Sequence, residues 1–257
     1  MKFPNLARST AAIFASLMIA GSACAAQLVV AVSPTFPPFE YTDTQTGTVS
    51  GFEVDLVKAM ATKMGREIRI ESLGFDAIIP AILSGTVDMG ASGFSITPER
   101  GKRVLFTKAF YKSGLTILVP RENAAGITDF KSLEGKRISV QLGTTSQKFA
   151  KSIPGAKITT FASAGDAVLN MIAGNADAVI NDKPVTDYML VQAKNIAEKT
   201  THLKPIATAD LFAMVIAKNN KELKAEADKA LDELKADGTF NELHKKWFGV
   251  DADPELP

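Results

Sequence analysis

Cysteine is all but missing: one residue in 257, at position 24. A disulfide framework and a thiolate metal cluster are thereby excluded, and the fold must be held by its apolar core. Histidine occurs only as His202 and His244, with no second ligand at zinc spacing, so no metal or other cofactor is expected. Neither charge sign dominates, with 29 Lys and Arg against 28 Asp and Glu. Without a basic block, nucleic acid is not an expected partner. Long apolar runs are also lacking. The longest, Ala11 to Ala20, falls short of the roughly 20 residues a membrane-spanning helix needs.

That stretch follows Lys2 and Arg8 and precedes Gly21-Ser22-Ala23-Cys24-Ala25-Ala26. Together they read as a secretory leader, residues 1–25, cut after Ala25 or Ala26. The alternative is a lipoprotein acylated at Cys24 and anchored rather than spanning. Loss of Lys2 and Arg8 takes the formal net charge from +1 to −1. About 230 residues remain, enough for one or two cores.

Strands and helices alternate through this remainder. Leu28 to Val32 reads as a strand, and the prolines of Ser33 to Tyr41 argue against regular structure there. A helix through Val54, Val57, Ala61 and Met64 stops at Gly65, and a strand follows over 66–73. Phe75 to Leu83 reads as a second helix. Gly85-x-x-Asp88 then leads into an apolar strand, and Gly174-x-x-Asp177 leads into another after a helix at Ala164 to Ala173. Five residues beyond each aspartate stand Gly93 and Asp182. The strand Arg137 to Gln141 runs into Gly143-Thr144-Thr145-Ser146 much as the first strand runs into Ser33. Two α/β halves thus share one plan. Sheets of this kind bind ligands beyond the carboxyl ends of their strands. At the C-terminal end, Leu223, Ala227, Ala230, Leu231 and Leu234 share a helix face, and Thr239-x-x-Glu242 reads as a capping box for a last helix reaching Trp247.

The richest stretch is Ser92-Gly93-Phe94-Ser95-Ile96-Thr97-Pro98-Glu99-Arg100. Thr97 is a natural N-cap and Pro98 a natural first helical residue. Arg100 at the third position can lean back over the free N–H groups of the first turn and add a full charge to them. A ligand carboxylate would suit that place. Ser95 can offer a hydroxyl, and Ser92 and Gly93 can offer carbonyls, so acceptors stand beside an anion clamp. A zwitterion is the matching ligand.

Five motifs, in this order, resemble the periplasmic solute-binding proteins of polar amino acid ABC transporters. They are Phe36-Pro37-Pro38-Phe39-Glu40, Gly51-Phe52-Glu53-Val54-Asp55-Leu56, Ser95 to Arg100, Gly143-Thr144-Thr145, and Asp237-Gly238-Thr239 to Trp247-Phe248-Gly249. The glutamine- and histidine-binding members are similar. The resemblance implies the two-lobed, type II periplasmic-binding-protein fold of the α/β class, each lobe a mixed sheet flanked by helices, with the ligand cleft between them. It implies lobe 1 at 26–111 and 211–257, lobe 2 at 112–210, and crossings near Tyr111 to Gly114 and Thr208 to Phe212. It also implies a monomer in the periplasm with two partners, a free L-amino acid and a membrane permease.

By the same resemblance Arg100 and the N–H groups of Ser95 and Thr145 hold the ligand carboxylate. Gly93 O, the Ser95 hydroxyl and Asp182 hold its ammonium, with Thr144 beside them, and Phe36 and Phe75 cover its side chain. Binders of cationic ligands or glutamine in this family commonly carry Asp at the position of Ser33. Its absence leaves a cationic ligand without its obvious counter-ion, and no Lys or Arg stands at Gln141 or Asn181 for an acidic one. A neutral polar ligand is expected, with Ser33, Gln141 and Asn181 as hydrogen-bonding partners. The competing expectation is an enzyme, since the scaffold also resembles cyclohexadienyl dehydratases, which need a general acid.

Overall fold

The computed structural model describes residues 27–256; the expected leader and Cys24 lie outside them. The chain runs β1 (Leu28–Val32), β2 (Thr35–Phe36), β3 (Glu40–Thr42), β4 (Val49–Ser50), α1 (Phe52–Met64), β5 (Ile68–Ser72), α2 (Phe75–Ser84), β6 (Met89–Gly90), α3 (Pro98–Gly101) and β7 (Val104–Phe106). After β8 (Tyr111–Ser113) come β9 (Leu115–Pro120), β10 (Arg137–Gln141), α4 (Thr145–Lys151), β11 (Lys157–Phe161), α5 (Ala164–Ile172), β12 (Ala178–Asp182), α6 (Lys183–Gln192), α7 (Lys194–Lys199) and β13 (Thr200–His202). The chain then returns through β14 (Asp210–Phe212) to β15 (Val215–Ala217), α8 (Lys221–Ala236) and α9 (Thr239–Phe248).

Two five-stranded sheets result, ordered β5-β1-β6-β15-β7 and β11-β10-β12-β9-β13. In each, a parallel trio is extended by an antiparallel strand, β15 in the first sheet and β9 in the second. The protein is therefore α/β with two lobes, one on each sheet. Strands β8 and β14 pair antiparallel as a separate ribbon joining them. The repeated aspartates explain why both halves start alike. Asp88 accepts the Val29 N–H at 2.8 Å and returns its own N–H to Val29 O. Asp177 does the same with Arg137, at 2.8 Å. Each carboxylate satisfies a strand-end donor that the ladder leaves over.

Both faces of each sheet are covered, as parallel strands require. In β9, Leu115, Ile117 and Val119 point into one core with Ile138, Val140 and Ile180, while Leu118 points into another with Val168, Met171 and Val179. In the first lobe, Val30 and Val32 pack with Leu56, Met60, Leu223 and Leu231. All five apolar positions expected on one face of α8 are buried. Asn220 caps that helix by accepting the Leu223 N–H at 3.1 Å. Asn220→Ala is expected to lower stability by about 1 kcal/mol without altering ligand affinity, as urea unfolding and titration would show.

Two local expectations are corrected. The proline-rich segment is not wholly irregular: β2, β3 and β4 form a small antiparallel sheet. Pro37 and Pro38 sit in the turn between β2 and β3, where no ladder donor is needed. Thr239 and Glu242 form no capping box. The N-cap is Gly238, and the Thr239 N–H is taken by Asp237 at 3.0 Å. Gly238 adopts φ 87°, which starts the helix one residue earlier and makes Thr239 its first helical residue.

Candidate functional site

The carboxyl ends of β1, β6, β10 and β12 converge between the lobes on a tight cavity of about 10 Å³, about the room one water needs. Lobe 1 supplies Ser33, Phe36, Phe75, Ser92, Gly93, Ser95 and Arg100, and lobe 2 supplies Gln141, Thr144, Thr145 and Asp182. These are eleven of the twelve residues singled out in the sequence. Asn181 does not line it. Side chains alternate along β12, so Asp182 toward the cavity turns Asn181 away, where its amide donates to Thr186 Oγ1 at 3.3 Å.

Thr97 caps α3, accepting the Arg100 N–H at 3.2 Å. The guanidinium, however, does not lie over the first-turn N–H groups. It donates to Ser95 O at 2.9 Å and, across the cleft, to Gly143 O at 3.3 Å. Carbonyl oxygens attract its donors where N–H groups would repel them. Phe75 and Phe94 stack at 4.6 Å between centroids, and Arg100 Cζ lies 5.4 and 5.2 Å from their rings, within cation–π range. Burial lowers the guanidinium to about 10, against the opposing pull of Asp182, Asp210 and Glu99. It remains charged at neutral pH.

Gly93 adopts φ 56°, a region a side chain disfavours. A Cβ there would also fall 2.9 Å from the Phe36 ring. Both facts explain the glycine. In lobe 2, Thr144 is the N-cap of α4: its hydroxyl accepts the Gln147 N–H at 3.2 Å and donates to Gln141 O at 2.8 Å. Thr145 is thereby free of capping duty, and its hydroxyl faces Ser95 Oγ across the cleft at 3.4 Å. The Gln141 amide donates to Ala162 O at 3.0 Å.

Asp182 is only 5% exposed. Burial pushes its carboxyl up to about 7, with Asp210 adding to the rise and the Ser113 hydroxyl and Arg100 opposing it. Ser113, on the connecting strand β8, donates to Asp182 Oδ1 at 2.8 Å. Sequence reasoning passed over Ser113 because only the pairing of β9 with β12, which sets Leu115 opposite Asp182, brings Ser113 and Asp182 together. It also passed over Glu40 and Glu53, which lie directly behind Ser92 and Gly93. Glu53 carried a signal: with Val57 and Met60 it falls on the buried face of α1.

His202 bonds Thr116 Oγ1 at 2.8 Å and His244 bonds Val250 O at 2.8 Å. Among the described residues no cluster of three or more His, Cys, Asp or Glu is arranged to hold a metal.

The sequence model of the bacterial extracellular solute-binding proteins, family 3, matches residues 28–250. The ABC transporter arginine-binding protein 1 of Escherichia coli K12 is 32% identical over 242 residues, covering 93% of this chain and 97% of its own. An ancestral arginine-binding protein solved with glutamine bound superposes with a TM-score of 0.80 at 34% identity, covering 87% of this chain and 98% of its own. An ancestral amino acid-binding protein described as a precursor of cyclohexadienyl dehydratase gives 0.78 at 36%, covering 86% and 95%.

Proposed function

The chain belongs to the bacterial extracellular solute-binding proteins, family 3, and on that premise we propose that it captures a free L-amino acid with a neutral polar side chain and delivers it, by hinge closure, to an ABC transporter permease. The observation that carries this reading is the charge pattern of the cavity. Arg100 and Asp182 are the ionisable residues lining it, and its other lining side chains are uncharged. One cation and one anion match the two poles of a zwitterion, which leaves no counter-ion for a charged side chain.

In this reading Arg100 and the N–H groups of Ser95 and Thr145 take the carboxylate. Gly93 O, the Ser95 hydroxyl and Asp182 take the ammonium. Phe36 and Phe75 cover the side chain, and Ser33 and Gln141 bond its polar end. Lobe 1 comprises 26–111 and 211–257 and lobe 2 112–210, a division supported by the membership of the two sheets. The protein works as a monomer in the periplasm after loss of residues 1–25. Closure follows from a ligand that binds the closed form better than the open one.

The test is calorimetric titration of ligand-stripped protein against the common L-amino acids and prephenate. Tight binding confined to neutral polar amino acids is the expected result. The arginine-binding relatives favour a second reading, a cationic ligand; tight binding of arginine with none of glutamine would establish it and overturn the neutral one. Turnover of prephenate, with silence toward every amino acid, would instead make Asp182 a general acid.

Asp182 also sets a pH dependence. Its carboxylate is the form that binds an ammonium, and below about pH 7 the ligand-free protein holds it protonated. Affinity is therefore expected to change little above pH 7, until the ligand ammonium itself begins to lose its proton, and to fall about tenfold per unit below it. Titrations from pH 5 to 9 check this, and a flat profile would contradict the role of Asp182.

A further inference from the structure

Behind the cavity wall two carboxyl groups are buried together. Glu40 on β3 and Glu53 on α1 are both fully buried and within hydrogen-bonding reach of each other. Glu40 Oε1 accepts the Ser92 hydroxyl at 2.7 Å, and Glu53 Oε2 accepts the Gly93 N–H at 2.7 Å. Ser92 Oγ in turn accepts the Ser33 N–H at 3.0 Å. The remaining oxygens, Glu40 Oε2 and Glu53 Oε1, are buried with no protein donor.

We propose that Glu40 and Glu53 share a single proton and, as one singly charged unit, are the positioning residues that hold Ser92 and Gly93 at the cavity. The count follows from the donors. Two carboxylates would set a pair of buried anionic oxygens against each other with nothing between them, an arrangement that low dielectric penalises heavily. A second proton would have to displace the Ser92 hydroxyl or the Gly93 N–H. One proton joins the two orphaned oxygens and leaves both existing bonds intact. Burial, with Glu53 beside it, pushes Glu40 well above the usual carboxylate range, and burial raises Glu53 as well.

Charged groups on the neighbouring elements are engaged elsewhere. Asp55 of α1 meets Lys246 and Trp247 of α9, Lys63 meets Asp237, and Glu226 of α8 meets Arg66. Lys58 of α1 is exposed. His244 packs on the ring of Phe52 and bonds Val250 O, and Tyr111 lies against Phe39. Arg100 and Asp182 stand on the far side of Ser92 and Gly93, lining the cavity. The bearing of the pair on ligand rests on the reading of Gly93 O as an ammonium acceptor; the proton count does not.

The test is urea unfolding of the ligand-free protein from pH 5 to 8, as wild type, Glu40→Gln, Glu53→Gln and the double variant. Each single glutamine can accept from Ser92 or Gly93 through its carbonyl and supply, through its amide, the donor that the shared proton supplied. Folded wild type retains a proton that its unfolded chain releases above about pH 4.5. The share of stability that this proton contributes is thus greatest at low pH. Relative to either single variant, the wild-type unfolding constant should rise about tenfold per pH unit across this range. The double variant opposes two amide donors and should lose far more stability than the two single changes summed.

Parallel pH profiles for wild type and the single variants, or an additive double variant, would overturn the shared proton. Should the variants fail to fold, infrared spectra of wild type with isotopically labelled glutamate decide it. One protonated glutamate carboxyl persisting at pH 7 is expected, and none would refute the proposal. Because all readouts use ligand-free protein, silence in the amino acid titration leaves this result standing, and the reverse also holds.

Discussion

Arg100→Ala is expected to weaken binding of the cognate amino acid by about 2–5 kcal/mol, roughly 30- to 5,000-fold in Kd. The guanidinium is the cation lining the cavity, and a buried carboxylate deprived of it keeps its desolvation cost without the compensating charge. Phe75, Phe94 and Ser95 O, all of the same lobe, hold the guanidinium, so its position is set before the lobes close. Arg100→Lys keeps the charge but loses the planar fork that can span Ser95 O, Gly143 O and a carboxylate together. It should fall between wild type and alanine. Calorimetry measures both, with urea unfolding as the control for folding. Near-wild-type affinity in the alanine variant would remove Arg100 from the site.

Asp182→Asn is expected to cost a comparable 2–5 kcal/mol for amino acids and little for the same acids lacking the amine. The ratio between the two ligands is the informative quantity, because a general loosening of the cleft would weaken both alike. Asparagine can still accept the Ser113 hydroxyl that Asp182 Oδ1 accepts, so the tie to β8 is kept while the charge is removed. The variant should also lose the fall in affinity below pH 7. In the ligand-free protein the raised carboxyl works against folding: its stabilising share is present at low pH and is lost as pH rises toward 7. Asp182→Asn should therefore match or exceed wild type in stability above pH 7. Equal losses for amino acids and deaminated analogues would contradict the ammonium role.

Much of the fold was legible along the chain because its signals are local. The periods of α1 and α8, the stops at Gly65 and Gly85, and Thr97-Pro98 before α3 each lie within a few residues of the element they shape. The Gly-x-x-Asp repeat was legible for another reason. Asp88 and Asp177 perform the same hydrogen-bonding duty at the starts of two equivalent strands, so equal requirements left equal residues. The capping box failed because a left-handed glycine and a threonine compete for the same cap. Only the backbone course after α8 shows which one holds it.

The sequence by itself determined the alternation of strands and helices, their division into two similar halves, and the loops at the strand ends from which eleven of the twelve chosen residues meet. Pattern and spacing suffice for the alternation, the two halves and the loops, since side-chain period and backbone preference act over short distances, whereas most of the residues chosen in those loops came from the family resemblance. Tertiary structure alone decided that Asn181 turns from the cavity, that Arg100 reaches the carbonyl of Gly143, and that Ser113 ties Asp182 to the ribbon joining the lobes. It also decided that Glu40 and Glu53 meet behind Gly93. Each of these depends on which strand lies beside which. That is settled by burial and hydrogen bonding between residues far apart in the chain, which no local pattern records.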